Sequence, residues 1–273
     1  TGLKLAESHF QPQVVVQYDI DPEVMLFAKW TRGAKAGGFD WLLGQANPAN
    51  ASFKPEVATS FEFGGKGRLL DDTLNVALTL FQSNFKDLQV SIFNGSTNFL
   101  ITNAAESRAR GFETEVDWRP SDRLTVNFSG SYLDSIYKSF PGAGCYFELT
   151  LLVVPPAVCT QDLSGTPTPY SSKWAGAIGV EYTVPIDAYT LTGGVMVEGR
   201  SSYNASTTHD PVDRQSGYAL LDAHLDLESD SWWTLSLFGK NLNDKLYFTI
   251  ASDIPGIRGA RFATTPRGRE VGI

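Results

Sequence analysis

Glu113, Glu115 and Asp117 stand at alternate positions of the stretch "RARGFETEVDWRP", residues 108–120. Carboxylates held close together can do acid–base work when one of them is kept protonated. On an extended strand, however, alternate side chains share one face, and a face open to water solvates all three acids without raising their pKa values. A charged wall is expected here rather than a catalytic pair. His9, His209 and His224 are isolated, with neither an HExxH signature nor an i, i+4 pairing, so no metal centre or catalytic imidazole is expected. No GxSxG occurs to form a nucleophile elbow. Gly64, Gly65 and Gly67 in "GGKGR" are not followed by the helix pattern of a phosphate loop, and within strands such glycines allow bending. Cys145 and Cys159 have no CxxC spacing and no His partner that would make them metal ligands. The chain therefore reads as a protein without catalytic residues, metal or cofactor.

The elements that carry these residues follow from a period of two. Leu74, Val76, Leu78 and Leu80 oppose Thr73, Asn75, Ala77 and Thr79; Trp174, Ile178, Val180 and Tyr182 oppose Ala175, Ala177, Gly179 and Glu181; Leu221, Ala223, Leu225 and Leu227 oppose Asp222, His224, Asp226 and Glu228. One face is apolar, and the other is small, polar or charged. Strands are expected at 12–20, 23–33, 55–69, 73–93, 98–119, 122–140, 172–184, 189–203, 216–228, 231–249 and 264–273, an all-β chain of about eleven strands. Tight-turn chemistry at "DIDPE", "DD", "RPSD", "PIDA" and "SDS" alternates with long connections at 34–54, 141–171, 204–215 and 250–263. The exception is "NGST" (94–97), a tight-turn signal between the two longest strands. Those strands would span roughly 65–70 Å at ~3.3 Å per residue, beyond a hydrocarbon core of ~30 Å, so that hairpin is expected to project into water.

Composition narrows the setting. Lys plus Arg is 22 and Asp plus Glu is 30, a net charge of −8 without a basic cluster, which argues against nucleic acid as a partner. No apolar run approaches the ~18 residues of a spanning helix, so only a β-barrel could place this chain in a bilayer. Short turns at one end and long loops at the other is the layout of an outer-membrane barrel. A soluble sandwich also alternates, but soluble strands usually run ~5–6 residues, shorter than most of these.

"FAKWTRGAKAGGFD" (27–40), "KPEVATSFEFGGKGRLLDDTLNVALTLFQSNFKDLQV" (54–90), "NAAESRARGFETEVDWRPSDRLTVNFSGSYLDSIYKSF" (103–140) and "FGKNLNDKLYF" (238–248) together resemble the C-terminal barrel of TonB-dependent outer-membrane receptors. The Gly-Phe-Glu step at 111–113 and the Asn-Leu-Asn-Asp step at 241–244 carry the resemblance most specifically. It implies an antiparallel transmembrane β-barrel of about 22 strands in the outer membrane of a Gram-negative bacterium. A plug would occlude it, and ferric siderophores or similar scarce iron complexes would enter with energy from the TonB complex. Nothing in 1–273 resembles the plug or the TonB box, so the chain is expected to be a C-terminal portion of such a barrel, truncated at both ends. TonB would be engaged through the missing plug region.

In that family, ligand collects at strand tops and in long loops, which singles out Arg32, Lys35, Phe39 and Trp41, cations beside aromatics that would suit an anionic, ring-bearing chelate. The same residues would equally serve loop packing or face lipopolysaccharide, which with outer-membrane lipid is the other expected partner. Cys145 and Cys159 lie in a loop that would meet an oxidising environment, so a disulfide is expected in preference to two free thiols. A passive porin, an outer-membrane barrel enzyme and a soluble carbohydrate-binding sandwich remain as alternatives.

Overall fold

The computed structural model describes residues 4–40, 51–93, 99–153, 159–254, 257 and 259–273. The first half of the chain forms β1 (Gln13–Asp19), β2 (Val24–Lys35), β3 (Gly38–Phe39), β4 (Ser52–Phe53), β5 (Glu56–Leu69), β6 (Leu74–Phe93), β7 (Phe99–Ser121) and β8 (Leu124–Ser139). After β9 (Ala143–Gly144), a one-turn helix α1 (Phe147–Thr150) and β10 (Thr160–Gln161) come β11 (Trp174–Ile186) and β12 (Tyr189–Arg200). The chain continues with β13 (Tyr203–Asn204), a 3-10 turn (Pro211–Asp213), β14 (Arg214–Gln215), β15 (Tyr218–Ser229), β16 (Thr234–Lys240), β17 (Ile250–Asp253), β18 (Arg261–Thr264) and β19 (Glu270–Gly272).

Eleven strands make one antiparallel sheet in the order β1-β2-β5-β6-β7-β8-β11-β12-β15-β16-β19, and the short ones pair as four ribbons inside the long connections. The tight turns are built from the residues that suit them. Asp21 accepts the N–H groups of Glu23 and Val24 at 2.8 Å each, and Leu70, Asp71, Asp72 and Asp187 take the positive φ that such turns require. The "NGST" turn lies outside the described residues.

Register fixes the two faces, because directly paired residues point the same way. One face carries the row Ala28–Phe63–Leu80–Phe112–Tyr132–Trp174. Phe112, Tyr132 and Trp174 touch there, with ring centroids 4.8 to 6.1 Å apart. The same face continues down β11 through Ile178 and Val180 to Tyr182, so its apolar band runs about 26 Å along the strand. The opposite face carries Glu113, Glu115 and Asp117, all exposed, and Asn127 donates to Asp117 Oδ1. Phe61, Phe63, Leu78, Leu80, Ile178, Val195 and Leu225 remain exposed on the apolar face. A soluble protein rarely leaves so extended an apolar surface bare, which counts against the sandwich alternative.

Two glycines explain close approaches in the wall. A Cβ on Gly111 would run into the backbone carbonyl of Tyr132, so the Gly-Phe-Glu step lets β7 and β8 lie close together. A Cβ on Gly64 would meet the Phe27 ring and the Leu78 carbonyl, so Gly64 makes room for a cross-strand aromatic.

Buried apolar side chains are few and sit at the long-connection end. Ala105, Tyr137, Phe140, Ala143 and Leu163 form one cluster, against which Leu88, Val90 and Ile92 of β6 pack. Tyr203, Ala205 and Ala251 form another, with Tyr218 and Phe248 beside them. The extended β6–β7 hairpin therefore has a partner on one side instead of standing wholly in water. Its register shifts between Phe85 and Gln89, with Asp87 at φ 53°. There Asn103 Nδ2 donates to the Asp87 and Lys54 carbonyls, and Gln89 Nε2 donates to those of Ala36 and Lys54. The bulge thus grips the connection between β2 and β5.

Two expected strands end differently. The strand expected over 231–249 stops at Lys240, because Asn241 and Asp244 take positive φ (49° and 50°) and turn the chain. The one expected over 264–273 splits: Arg261–Thr264 pairs with β17 in the loop, and only Glu270–Gly272 joins the sheet.

Candidate functional site

The long connections converge on a vestibule above the charged face. An apolar recess of about 410 Å³ there is lined by Leu88, Val90, Ile92, Tyr137, Phe140 and the Cys145–Cys159 pair, with Thr207 and Thr208 contributing polar groups. An apolar hollow with a few fixed polar groups is what a small-molecule site requires. Gln161 Nε2 ties two of its walls, donating to the Gly144 and Thr208 carbonyls at 2.7 Å each.

The cysteines are joined as a disulfide, with Cα atoms 5.7 Å apart. Replacing both (Cys145→Ser, Cys159→Ser) is expected to open the 145–159 segment to protease while leaving the sheet intact, since the bond closes only that loop. Limited proteolysis with mass mapping checks this; an unchanged cleavage pattern would mean the hydrogen bonds alone hold the segment.

Beside the recess, Arg261 on β18 gathers four carboxylates. Its Nη2 lies 3.0 Å from Glu148 Oε1 and 2.6 Å from Asp210 Oδ2, and its Nη1 lies 3.1 Å from Asp213 Oδ1 and 3.2 Å from Asp253 Oδ1. Glu148 belongs to α1, Asp210 and Asp213 to the β13–β14 segment, and Asp253 to β17, so one guanidinium joins three connections. Ligand oxygens of Glu148, Asp210 and Asp253 lie within 4.8 Å of one another, a spacing that would suit a cation, and the Arg261 guanidinium contacts all three. Asp210 and Asp213 are 1% and 3% exposed, so their charges depend on this partner. Burial, and then the neighbouring Asp210 charge, raise the Asp213 carboxyl above its ordinary value despite Arg261. Burial alone would lower the Arg261 guanidinium, but Asp210 and the other acids hold it above the usual arginine range.

His209 lies against Tyr137, 6.3 Å between ring centroids, and its Nε2 is buried without a hydrogen-bond partner among the described residues. Burial depresses its pKa below 6.5. The unfolded segment then takes a proton near 6.5 while the folded one resists, so stability present above that pH is lost as pH falls through the depressed value. Corrected for the intrinsic pH dependence of amide exchange, protection in 201–217 is expected to fall as the pH drops below 6.5, and His209→Gln should flatten that dependence. Asp213 acts with the opposite sign, since its raised pKa favours the folded state as pH falls toward 3.8. A pH profile identical in His209→Gln would remove the histidine from the account.

Of the residues singled out in sequence, Arg32 shares the apolar, outward face with Trp30, whereas Lys35, three positions on, falls on the charged face; both are exposed. Phe39 is half-buried in the β3–β4 ribbon, and Trp41 lies outside the described residues. The structure does not bring Arg32 and Lys35 to one surface. His224 stands on the charged wall 3.5 Å from Asp226 and 3.6 Å from Glu181. Tyr137 and the Arg261 group escaped the sequence reading because their partners lie up to 113 positions apart. Only Asp210 left a local trace, an Asp before Pro whose side chain accepts Val212 N–H.

The Asn-Leu-Asn-Asp step acts as a knot at the rim. Asn241 N–H donates to Asp222 Oδ1, its side chain exchanges hydrogen bonds with Lys245, and Asn243 Nδ2 reaches the Ala219 carbonyl. Asp244 accepts the Arg269 N–H, tying β16 to the approach of β19.

A long antiparallel meander with a bare apolar outer face, a charged inner face and stapled loops at one end defines the wall of a membrane β-barrel. The chain belongs to the TonB dependent receptor-like, beta-barrel family, whose model matches residues 1–242. Proteins of this family reside in the Gram-negative outer membrane, and so does this one. The chain is 25% identical over 241 residues to the ferric-pyoverdine M114 receptor PbuA of Pseudomonas sp. (strain M114), covering 87% of this chain and 26% of that protein. It is 27% identical over 226 residues to the probable TonB-dependent siderophore receptor PiuA of Acinetobacter baumannii, covering 82% and 27%. The crystal structure of the ferric yersiniabactin uptake receptor FyuA from Yersinia pestis matches with a TM-score of 0.72 at 18% identity over 95% of this chain and 35% of that one, which speaks to fold. The chain spans about a quarter of the length of the curated relatives it matches.

Proposed function

We propose that residues 1–273 are a C-terminal portion of the barrel of an outer-membrane receptor that takes up a ferric siderophore, or a similar iron complex, with energy from the TonB complex. The observation that carries this is the match of most of the chain to two relatives named as ferric-pyoverdine and siderophore receptors. The plug that would meet TonB is assigned to the rest of the full-length protein. Ligand would be received in the vestibule, whose apolar recess is backed by the buried Tyr137 and Phe140, with Lys35 and Phe39 at its rim. Arg32, facing outward, is assigned instead to lipid and lipopolysaccharide.

The test is iron-restricted growth of a receptor-deficient strain expressing the full-length protein, supplied with single ferric siderophores of pyoverdine, phenolate or catecholate type. Growth is expected with one class only, and only where TonB is present. Growth that persists without TonB would identify a passive pore. Tyr137→Ala should raise the siderophore concentration required, and an unchanged requirement would move ligand out of this recess.

A further inference from the structure

Above the aromatic row on the outward face, the side chains change character within two steps. The next row is Trp30–Phe61–Gln82–Arg110–Asp134, and the one beyond is Arg32–Thr59–Asn84–Arg108. Lys86 follows on the same face, paired with Val57. Lys138 is the extra residue where the β7–β8 register shifts between Glu106 and Ser107. Arg32, Lys86, Lys138 and Glu106 line one hollow of about 390 Å³ with Thr59 and Asn84. Arg108 and Arg110 adjoin it and share Asp134, at 2.9 and 3.0 Å. Among the described residues Arg32, Lys86 and Lys138 make no ion pair. Five cations against Glu106 and Asp134 leave +3 here, on a chain whose total is −8.

From this placement we infer that Arg32, Lys86 and Lys138 form a binding site for the phosphate groups of the outer-leaflet lipid, the lipid A of lipopolysaccharide. The inference rests on the outer-membrane placement and deepens it. Arg32 lies four residues beyond the aromatic row and Lys86 six, about 13 and 20 Å along their strands, so these cations stand beyond the apolar band, at the level of headgroups. Cations there are held by anionic lipid through charge-assisted hydrogen bonds. Arg32 and Lys86 face away from the charged wall by register, and Lys138 lines the same hollow, so these cations stand apart from the vestibule. Their hollow opens on the same side as the aromatic girdle, which makes a membrane lipid the occupant.

The full-length receptor in mild detergent is titrated with diphosphorylated lipid A and with dephosphorylated lipid A, bound lipid being read by native mass spectrometry. Wild type is expected to prefer the phosphorylated form by about tenfold or more, the scale of one or two hydrogen bonds to charged groups. The triple variant Arg32→Ala/Lys86→Ala/Lys138→Ala should lose that preference while keeping heat-modifiable gel mobility. Arg200→Ala, on the opposite face, should keep it. Equal binding of the two lipids by wild type overturns the assignment and needs no variant. So does a triple variant that still discriminates, or inorganic phosphate displacing lipid A at equal concentration, which would mark a soluble-anion site. Lipid is measured without siderophore, so failure here leaves the uptake reading untouched, and failed uptake leaves this one.

Discussion

Arg261→Met should loosen three outer connections together. The substitution leaves Asp210 and Asp213 buried without their cation, and removing one partner of a buried ion pair costs about 3–5 kcal/mol. Four carboxylates, Glu148, Asp210, Asp213 and Asp253, would then face one another within the space that one guanidinium had bridged. Hydrogen exchange should rise in α1, in the β13–β14 segment and along β17–β18, while β5 to β8 stay protected. Lowering the pH should partly restore the variant, because protonating Asp213, whose pKa burial already raises, removes one of the surplus charges. Arg261→Lys keeps the charge but not the fork that serves two pairs of acids at once, so an intermediate result is expected. Exchange confined to β18 would show that the other two connections hold themselves.

Ile178→Arg and Gly179→Arg, adjacent in one strand, should differ sharply. Ile178 is on the apolar face midway between Trp174 and Tyr182, so an arginine there meets hydrocarbon at about its midplane and should cost about 2–4 kcal/mol. Gly179 faces the charged wall, where a Cβ meets nothing within 4 Å and Glu181 lies two positions away. Its arginine should be nearly neutral. Unfolding titrations of the full-length variants in lipid measure the difference. Equal losses at both positions would contradict the assignment of faces.

Strand character, strand number and the division into faces were legible in the residues, because alternation such as that of Leu74 to Leu80 is a property of neighbours one and two positions apart. The turns were legible for the same reason: Asp21, Asp71 and Asp187 act on backbone within a few positions. Where local signals were read too far, the chain departed from them. Asn241 to Asp244 looked like part of a long strand and proved to be a knot, because the hydrogen bonds that favour turning come from Asp222 and Ala219 on the neighbouring strand.

The candidate site was largely closed to sequence reasoning. Arg32 and Lys35 seemed to belong together as cations at one strand top, yet three steps along a strand place them on opposite faces. Register with β5 then decides which of the two looks outward. The Arg261 group draws on acids from three loops, and no spacing between positions 148 and 261 encodes their meeting. The sequence by itself determined the period, the turns and hence a sheet with one apolar side, since those rest on local backbone geometry and on which side chains avoid water. Only the tertiary structure decided which cations meet which acids, where the apolar recess opens and which charges face the lipid, because those depend on long-range pairing that brings distant residues within a few ångströms.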